Sequence, residues 1–314
     1  MHILITGGAG FIGSHLSENL LQRGHRVTVV DNFNDFYDPL IKWNNVESAL
    51  THSAYRLVEG DILDSDCLND LFRSRVDAVA HLAAWAGVRP SIENPGIYQR
   101  VNVEGTLALL EQCRRHGVQK FVFASSSSVY GGRTKVPFRE TDDVSRPISP
   151  YAATKAAGEV LCHTYHHLFG IHMHLLRFFT VYGPRQRPEM AIALFARSIA
   201  RGRPVKLFGD GESRRDYTYI DDIVTGVTAS LERCSGFEII NLGGARTTSL
   251  RQLIALIGKE LGREPIIEPH PDQPGDVPLT FADVSKARAI LDYQPKTGIE
   301  EGIHRFCAAL TNGR

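Results

Sequence analysis

Nothing in the composition pulls this chain toward a charged partner. Its 35 lysines and arginines are matched by 35 aspartates and glutamates, so no global field steers it to nucleic acid or an anionic membrane. Cysteine is scarce. Cys67, Cys113, Cys162, Cys234 and Cys307 form an odd, scattered set without CxxC spacing, which argues against a disulfide framework and for reduced thiols in the cytoplasm. The thirteen histidines, including the pair His166 and His167, lack cysteines or acids at ligand spacing, so no metal is expected. No stretch approaches eighteen uninterrupted apolar residues, and the opening "MHILITGGAG" enters a strand at once. Neither export nor membrane insertion is expected. Internal repeats and low-complexity tracts are also missing. What the chain does have is a 43% apolar fraction over 314 residues, enough to bury a sizeable core in one large domain or two interlocked ones.

Short apolar strands alternate with amphipathic stretches. "HILIT", "RVTVVD", "YRLVEGD", "AVAHLAA", "KFVFAS" and "MHLLRFF" read as strands. Between the first two, Ile12, Leu16 and Leu20 recur at four-residue spacing, and Gly24 supplies a stop, so a helix over Ile12 to Arg23 is expected. The repetition implies an α/β, Rossmann-type, doubly wound parallel sheet covered by helices. After about Thr180 the texture changes to longer loops with more Gly, Pro and Arg. Helices over Leu250 to Leu261 and Ile299 to Leu310 then suit a smaller, mostly helical carboxy-terminal substrate domain. The expected division is 1–179 plus 217–245 for the nucleotide domain and 180–216 plus 246–314 for the substrate domain.

The first chemical signal is "ITGGAGFIG". Gly7, Gly10 and Gly13 lie between a strand and a helix, where a missing Cβ permits a tight turn and close approach to a pyrophosphate. Three such glycines also suit a plain βα turn. The second strand, however, ends at Asp31, where this fold binds an adenosine ribose through its hydroxyls. A carboxylate there repels a ribose 2′-phosphate and favours NAD over NADP. Asp61 and Ile62 after the third strand, and Leu82, Ala83 and Ala84 at the end of the fourth, fall where side chains line the same crevice.

The second signal is "SPYAATKAAGE". Ser149 and Pro150 look like an N-cap and a first-turn proline, which sets Tyr151 and Lys155 on one helical face. A nearby ammonium favours the phenolate. Lowering a tyrosine pKa from about 10 to about 7 requires roughly 4 kcal/mol of differential stabilisation. An isolated Tyr and Lys on a solvated helix is common, but here "FASSSSVYG" precedes Tyr151 by some twenty residues and offers a hydroxyl to the same place.

With "TGGAGFIG", Asp31, "GDILD", "HLAA", "VNVEGT", "SSSSVYG", "SPYAATK", "RRDYTYIDDI" and "QPGDV" in view, the chain resembles the extended short-chain dehydrogenase/reductases acting on nucleotide sugars, across nearly its whole length. The resemblance implies a tightly bound NAD, a UDP-sugar under the smaller domain, and a catalytic set of Ser126, Tyr151 and Lys155. It adds Phe11, Ile12, Asn32, Ala86, Asn102 and Ser125 to the cofactor region. It also implies a homodimer built on helices around Glu104 to Arg115 and Ala152 to Leu168.

Such enzymes oxidise the sugar at C4 and differ in the steps after that oxidation. The resembling dehydratases and decarboxylases carry acids directly after the catalytic Ser or Thr, where this chain has Ser127 and Ser128. Without a positioned carboxylate, proton removal at C5 lacks a base, and 4-epimerisation is favoured. "NFNDFYDP", "WAGVRPS" and "RFFTVYGPRQRPEM" look most like UDP-glucuronate 4-epimerases. Hydroxyls of Ser127, Ser128 and Thr180, with Arg187 nearby, suit a C6 carboxylate, and Arg185 is a further substrate-binding candidate. Alternatively, Ser127 and Ser128 are merely small residues tolerated beside the nicotinamide. By resemblance, Arg215 contacts the diphosphate and Asp276 the uridine ribose; Phe208 either stacks in the uracil pocket or merely packs there, and Arg89 either approaches sugar or phosphate or has a surface role. Gln273 stands where many relatives have arginine, and Trp85 where close relatives have glutamine. The rival readings are a UDP-glucose/UDP-galactose or UDP-xylose/UDP-arabinose 4-epimerase, a UDP-glucuronate decarboxylase, and a catalytically silent NAD-binding protein.

Overall fold

A computed structural model gives the placement of residues 1–271 and 277–311. Seven parallel strands make the central sheet: β1 (His2–Thr6), β2 (Arg26–Asp31), β3 (Tyr55–Glu59), β4 (Ala78–His81), β5 (Lys120–Ser126), β6 (His172–Phe178) and β7 (Phe237–Leu242). Near-continuous burial along β1, β4 and β5 is what a sheet covered on both faces requires. The strand order is β7-β6-β5-β4-β1-β2-β3. Winding reverses between β1 and β4, and a crevice opens there at the carboxyl ends of the strands. The six strand runs read from the sequence all lie in this sheet. β7 was not among them, because it arrives only after the chain has left the sheet and returned.

Helix α1 (Phe11–Gln22) buries Phe11, Leu16, Leu20 and Leu21, one residue out of step with the expected span. Its N-cap is Gly10, with no side chain to bond the first-turn amides. That leaves the amides available to a ligand. The Tyr151 helix runs Pro150–Phe169: Ser149 Oγ accepts from Ala152 N at 3.1 Å, Pro150 occupies the first turn, and Gly170 ends it at φ +69°. Beside it, helix Gly105–His116 follows a π-helical turn over Gln99–Glu104.

Beyond β6 the chain builds the second region from short strand pairs and helices Ala191–Ala200, Leu250–Glu260 and Ile299–Thr311. The Ser249–Gln252 capping box starts the second of these helices. Asp216 ties this region together. Its buried carboxylate accepts from Gly244 N at 2.6 Å, Ala245 N at 3.2 Å and Ala282 N at 3.1 Å. Desolvation outweighs those donors and raises its pKa to about 6. One continuous core joins Ile3, Val27 and Leu176 of the sheet to Ile192, Leu207 and Leu253 of the second region. Among the described residues no helix is long and apolar enough to cross a membrane.

Candidate active site

The crevice begins at the glycine-rich turn. Gly7 has φ +69°, and a Cβ there would sit 2.7 Å from Ala83 N, so only glycine fits. A Cβ on Gly13 would overlap the Gly7 carbonyl, so this glycine lets the turn close against the helix. Gly7, Gly10, Phe11, Ile12 and Gly13 line one wall, and Asp31, Asn32, Asp61 and Ile62 continue it. Asp31 is held before any ligand arrives: it accepts from Ala9 N at 3.2 Å and Phe33 N at 3.0 Å, and Lys42 Nζ lies 3.4 Å away. This open, backbone-lined cradle ending in a carboxylate fits a dinucleotide.

Lys42 was missed in the sequence. It lies on α2 (Pro39–Leu50), where Lys42, Asn45, Val46 and Ala49 form the buried stripe. A lysine at a core position of an amphipathic helix was the available signal. Asn45 Nδ2 donates to Ala9 O at 3.0 Å, so the same helix also braces the glycine-rich turn.

Leu82, Ala83, Ala84 and Ala86 form the opposite wall. His81 beneath them is buried between two hydroxyls, with Nδ1 2.7 Å from Thr6 Oγ1 and Nε2 2.9 Å from Thr106 Oγ1. Thr106 donates its own proton to Asn102 O at 2.6 Å, so His81 Nε2 must be the protonated nitrogen and Nδ1 the acceptor. Burial depresses its pKa to about 3 and keeps the ring neutral. Asn102 does not reach the crevice. From the π-helical turn it accepts from Trp85 N at 2.8 Å and donates to Trp85 O at 3.0 Å and Thr154 Oγ1 at 3.1 Å. Its part is to position the loop after β4 against the Tyr151 helix. Trp85 does line the crevice, with its ring edge-on to Phe36 at 5.1 Å.

At the floor the structure brings Ser125, Ser126, Ser127, Ser128, Tyr151, Lys155, Thr180 and Arg187 together. β5 delivers the serines, which turn into a 3₁₀ segment over Ser127–Tyr130. Ser126 Oγ accepts from Ser128 N and donates to Ser128 Oγ, both at 3.1 Å. Tyr151 bonds Ser126 through its side chain. Desolvation raises the Tyr151 pKa, against the opposing pull of that bond and of Arg187. Lys155 is 3% exposed and donates to Ala124 O at 2.7 Å, and burial lowers its pKa to about 8. Burial thus works against the phenolate that the neighbouring ammonium is expected to favour.

Behind the serines lies a pair that the sequence reading also missed. Arg177 donates to Glu159 through Nε at 2.9 Å and Nη2 at 2.7 Å, both residues buried. Ser125 Oγ donates to the same carboxylate at 2.5 Å. Glu159 is one turn beyond Lys155, so this network fixes the Tyr151 helix to β5 and β6.

Other candidate residues lie outside this lining. Arg185 has φ +64°, which turns its side chain away from the crevice to Glu18 on α1, 2.8 Å distant. Arg89 and Phe208 meet each other, the guanidinium 5.5 Å from the ring centroid, and neither lines the crevice floor. Arg215 lies in the short strand paired with Thr248 and donates to Arg214 O at 3.0 Å, also outside the lining. Asp276 and Gln273 fall outside the described residues.

The chain matches the NAD dependent epimerase/dehydratase family over residues 3–243. It is 44% identical over 306 residues to a UDP-glucuronate 4-epimerase of Thermodesulfobacterium geofontis, covering 97% of this chain and 94% of that protein. Among solved structures, a UDP-glucuronic acid 4-epimerase from Bacillus cereus, in complex with UDP-glucuronic acid and NAD, superposes with a TM-score of 0.93 at 37% identity over the whole of both chains. A UDP-glucose 4-epimerase from Thermotoga maritima, with UDP-glucose, gives 0.91 at 35% identity, covering 100% of this chain and 99% of that one. The backbone alone thus does not distinguish the two sugars.

Proposed function

This chain belongs to the NAD dependent epimerase/dehydratase family, and we propose that it interconverts UDP-glucuronate and UDP-galacturonate at sugar C4. One observation carries the choice of sugar: Arg187 shares the crevice floor with Tyr151, Ser127, Ser128 and Thr180. A guanidinium beside three hydroxyls suits a carboxylate at C6, which a hexose lacks. The relative from Thermodesulfobacterium geofontis bears the same activity name.

NAD fits the cradle of Gly7, Gly10 and Gly13 with Asp31 and Lys42 at its far end, and bound there it supplies reversible hydride transfer. The chain's own groups handle protons and position. Tyr151, as phenolate, takes the proton of the C4 hydroxyl and later returns it, while Ser126 bonds the same oxygen. The 4-keto sugar must present its opposite face before that return. Its uronic carboxylate is then β to a ketone and loses CO2 readily when turned perpendicular to the carbonyl plane. Hydrogen bonds from Ser127, Ser128 and Thr180, with Arg187, hold the carboxylate out of that orientation and keep charge on its oxygens. Ser127 and Ser128 provide no carboxylate to remove the C5 proton, so elimination lacks its base.

The assembly we propose is a cytoplasmic homodimer. Leu107 on helix Gly105–His116, and Val160, Leu168 and Phe169 on the Tyr151 helix, are large apolar side chains left exposed. The two helices are joined by Tyr165 Oη donating to Glu111 at 2.5 Å, and all five cysteines are free thiols. The test is incubation of the purified protein with a panel of UDP-sugars, without added NAD, and chromatography of the products. UDP-glucuronate should yield UDP-galacturonate with little UDP-pentose. Conversion of UDP-glucose in its place would refute the substrate, and a stoichiometric 4-keto-pentose would refute epimerisation.

A further inference from the structure

The cation on which carboxylate recognition depends is already paired. Arg187 Nε lies 3.3 Å from Glu189 Oε1, the only carboxylate within ion-pair distance of it among the described residues. The two belong to one tight turn. Met190 N donates to Arg187 O at 3.2 Å, Pro188 presets the second position, and Arg197 Nη2 donates to the Pro188 carbonyl. Short chain distance and a pinned backbone thus keep Glu189 beside Arg187.

The two ends of the pair face different surroundings. Arg187 lines the crevice and lies over the Phe36 ring at 5.7 Å, whereas Glu189 is not part of the lining and its side chain is 41% exposed. A carboxylate so placed regains water on leaving its partner, so separating the pair is inexpensive. An unpaired arginine at this depth would attract any small anion. With Glu189 beside it, a competing carboxylate needs the high effective concentration that comes from being tethered to an anchored nucleotide.

We propose that Glu189 is an internal stand-in for the substrate's sugar carboxylate: it occupies Arg187 in the empty site and yields it when a UDP-uronate binds. The proposal rests on the reading that Arg187 receives the C6 carboxylate. It makes Glu189 a specificity-determining residue that lowers affinity for the true substrate and raises the threshold for other anions. A brace that aims Arg187 at the substrate would have the opposite sign, because losing it would weaken binding.

The experiment is calorimetric titration of UDP-glucuronate and UDP-glucose into the NAD-loaded full chain, in a Tyr151→Phe background that prevents turnover. Glu189→Gln keeps the shape and removes the charge. It should tighten UDP-glucuronate roughly two- to fivefold, the range of a partly exposed ion pair, and leave UDP-glucose unchanged. Unchanged or weakened UDP-glucuronate binding in Glu189→Gln, while Arg187→Gln weakens that ligand selectively, overturns the stand-in role alone. Equal effects of Arg187→Gln on both ligands overturn the carboxylate reading itself, and the proposal with it.

Discussion

Replacing Glu159 by glutamine tests whether the network behind the serines holds the site together. Both partners are nearly sealed from water, with side chains 5% and 2% exposed. Arg177 presents two donors and Ser125 a third to one carboxylate. Glutamine keeps a single acceptor oxygen and turns an amide N–H₂ toward groups that are themselves donors. Arg177 also lies over the Tyr130 ring at 4.9 Å and remains charged, so its charge is left buried without a counter-ion. Breaking a buried pair on one side costs about 3–5 kcal/mol, and the retained oxygen places this variant near the lower figure. About 3 kcal/mol corresponds to roughly two decades in the unfolding constant and a fall of roughly 6–12 °C in Tm. The Glu159 charge also raises the Lys155 pKa, so its removal pushes that amine further down. Urea and thermal unfolding at pH 7 read the loss. The double variant Glu159→Leu with Arg177→Met should recover most of it, because no lone charge remains. A single-variant loss below about 1 kcal/mol, or losses that simply add in the double variant, would show that the pair does not hold the helix to the sheet.

Acid should act through His81. Its pKa falls from 6.5 to about 3 on folding, so between those values the unfolded chain binds a proton that the folded chain refuses, and stability is lost as pH drops below 6.5. At pH 4.5 that loss is roughly 2.7 kcal/mol. Urea unfolding of the wild type and His81→Asn at pH 7 and 4.5 should show the gap between them narrowing by about that amount, and a constant gap would contradict it. Gly7→Ala places a Cβ against Ala83 N in a left-handed backbone, so the purified variant should carry little NAD, read as absorbance released on denaturation. Asn102→Ala strands the Trp85 N–H and C=O in a half-buried loop. It should cost about 2–3 kcal/mol in thermal unfolding and lower kcat more than KM is changed.

Features fixed by neighbouring residues were the legible ones. The glycine-rich turn, Asp31 and the Ser149–Pro150 start of the Tyr151 helix each depend on a few adjacent positions, and local chemistry announces them. Lys42, Arg177 and Glu159 were hidden for a different reason. Each is a charged residue in a buried stripe, and its meaning lies in a partner on another element: Arg177 and Glu159 are eighteen residues apart, on a strand and a helix. Arg185 shows the limit of adjacency. It stands two residues before Arg187, but a positive φ aims it at α1. Asn102 was assigned to the right region by resemblance, but its side chain works through Trp85. β7 escaped because its membership in the sheet is settled by pairing with β6, after a long excursion of the chain.

In the proposed reaction one carbon is oxidised and then reduced again within a single protein, with no proton exchanged at C5. The most direct measurement uses UDP-glucuronate carrying deuterium at C4, turned over in ordinary water, with a parallel run of unlabelled substrate in D₂O. Mass spectrometry of the UDP-galacturonate should find the C4 deuterium fully retained in the first run and no carbon-bound deuterium in the second. Loss of the C4 label, or solvent deuterium at C5, would contradict this mechanism.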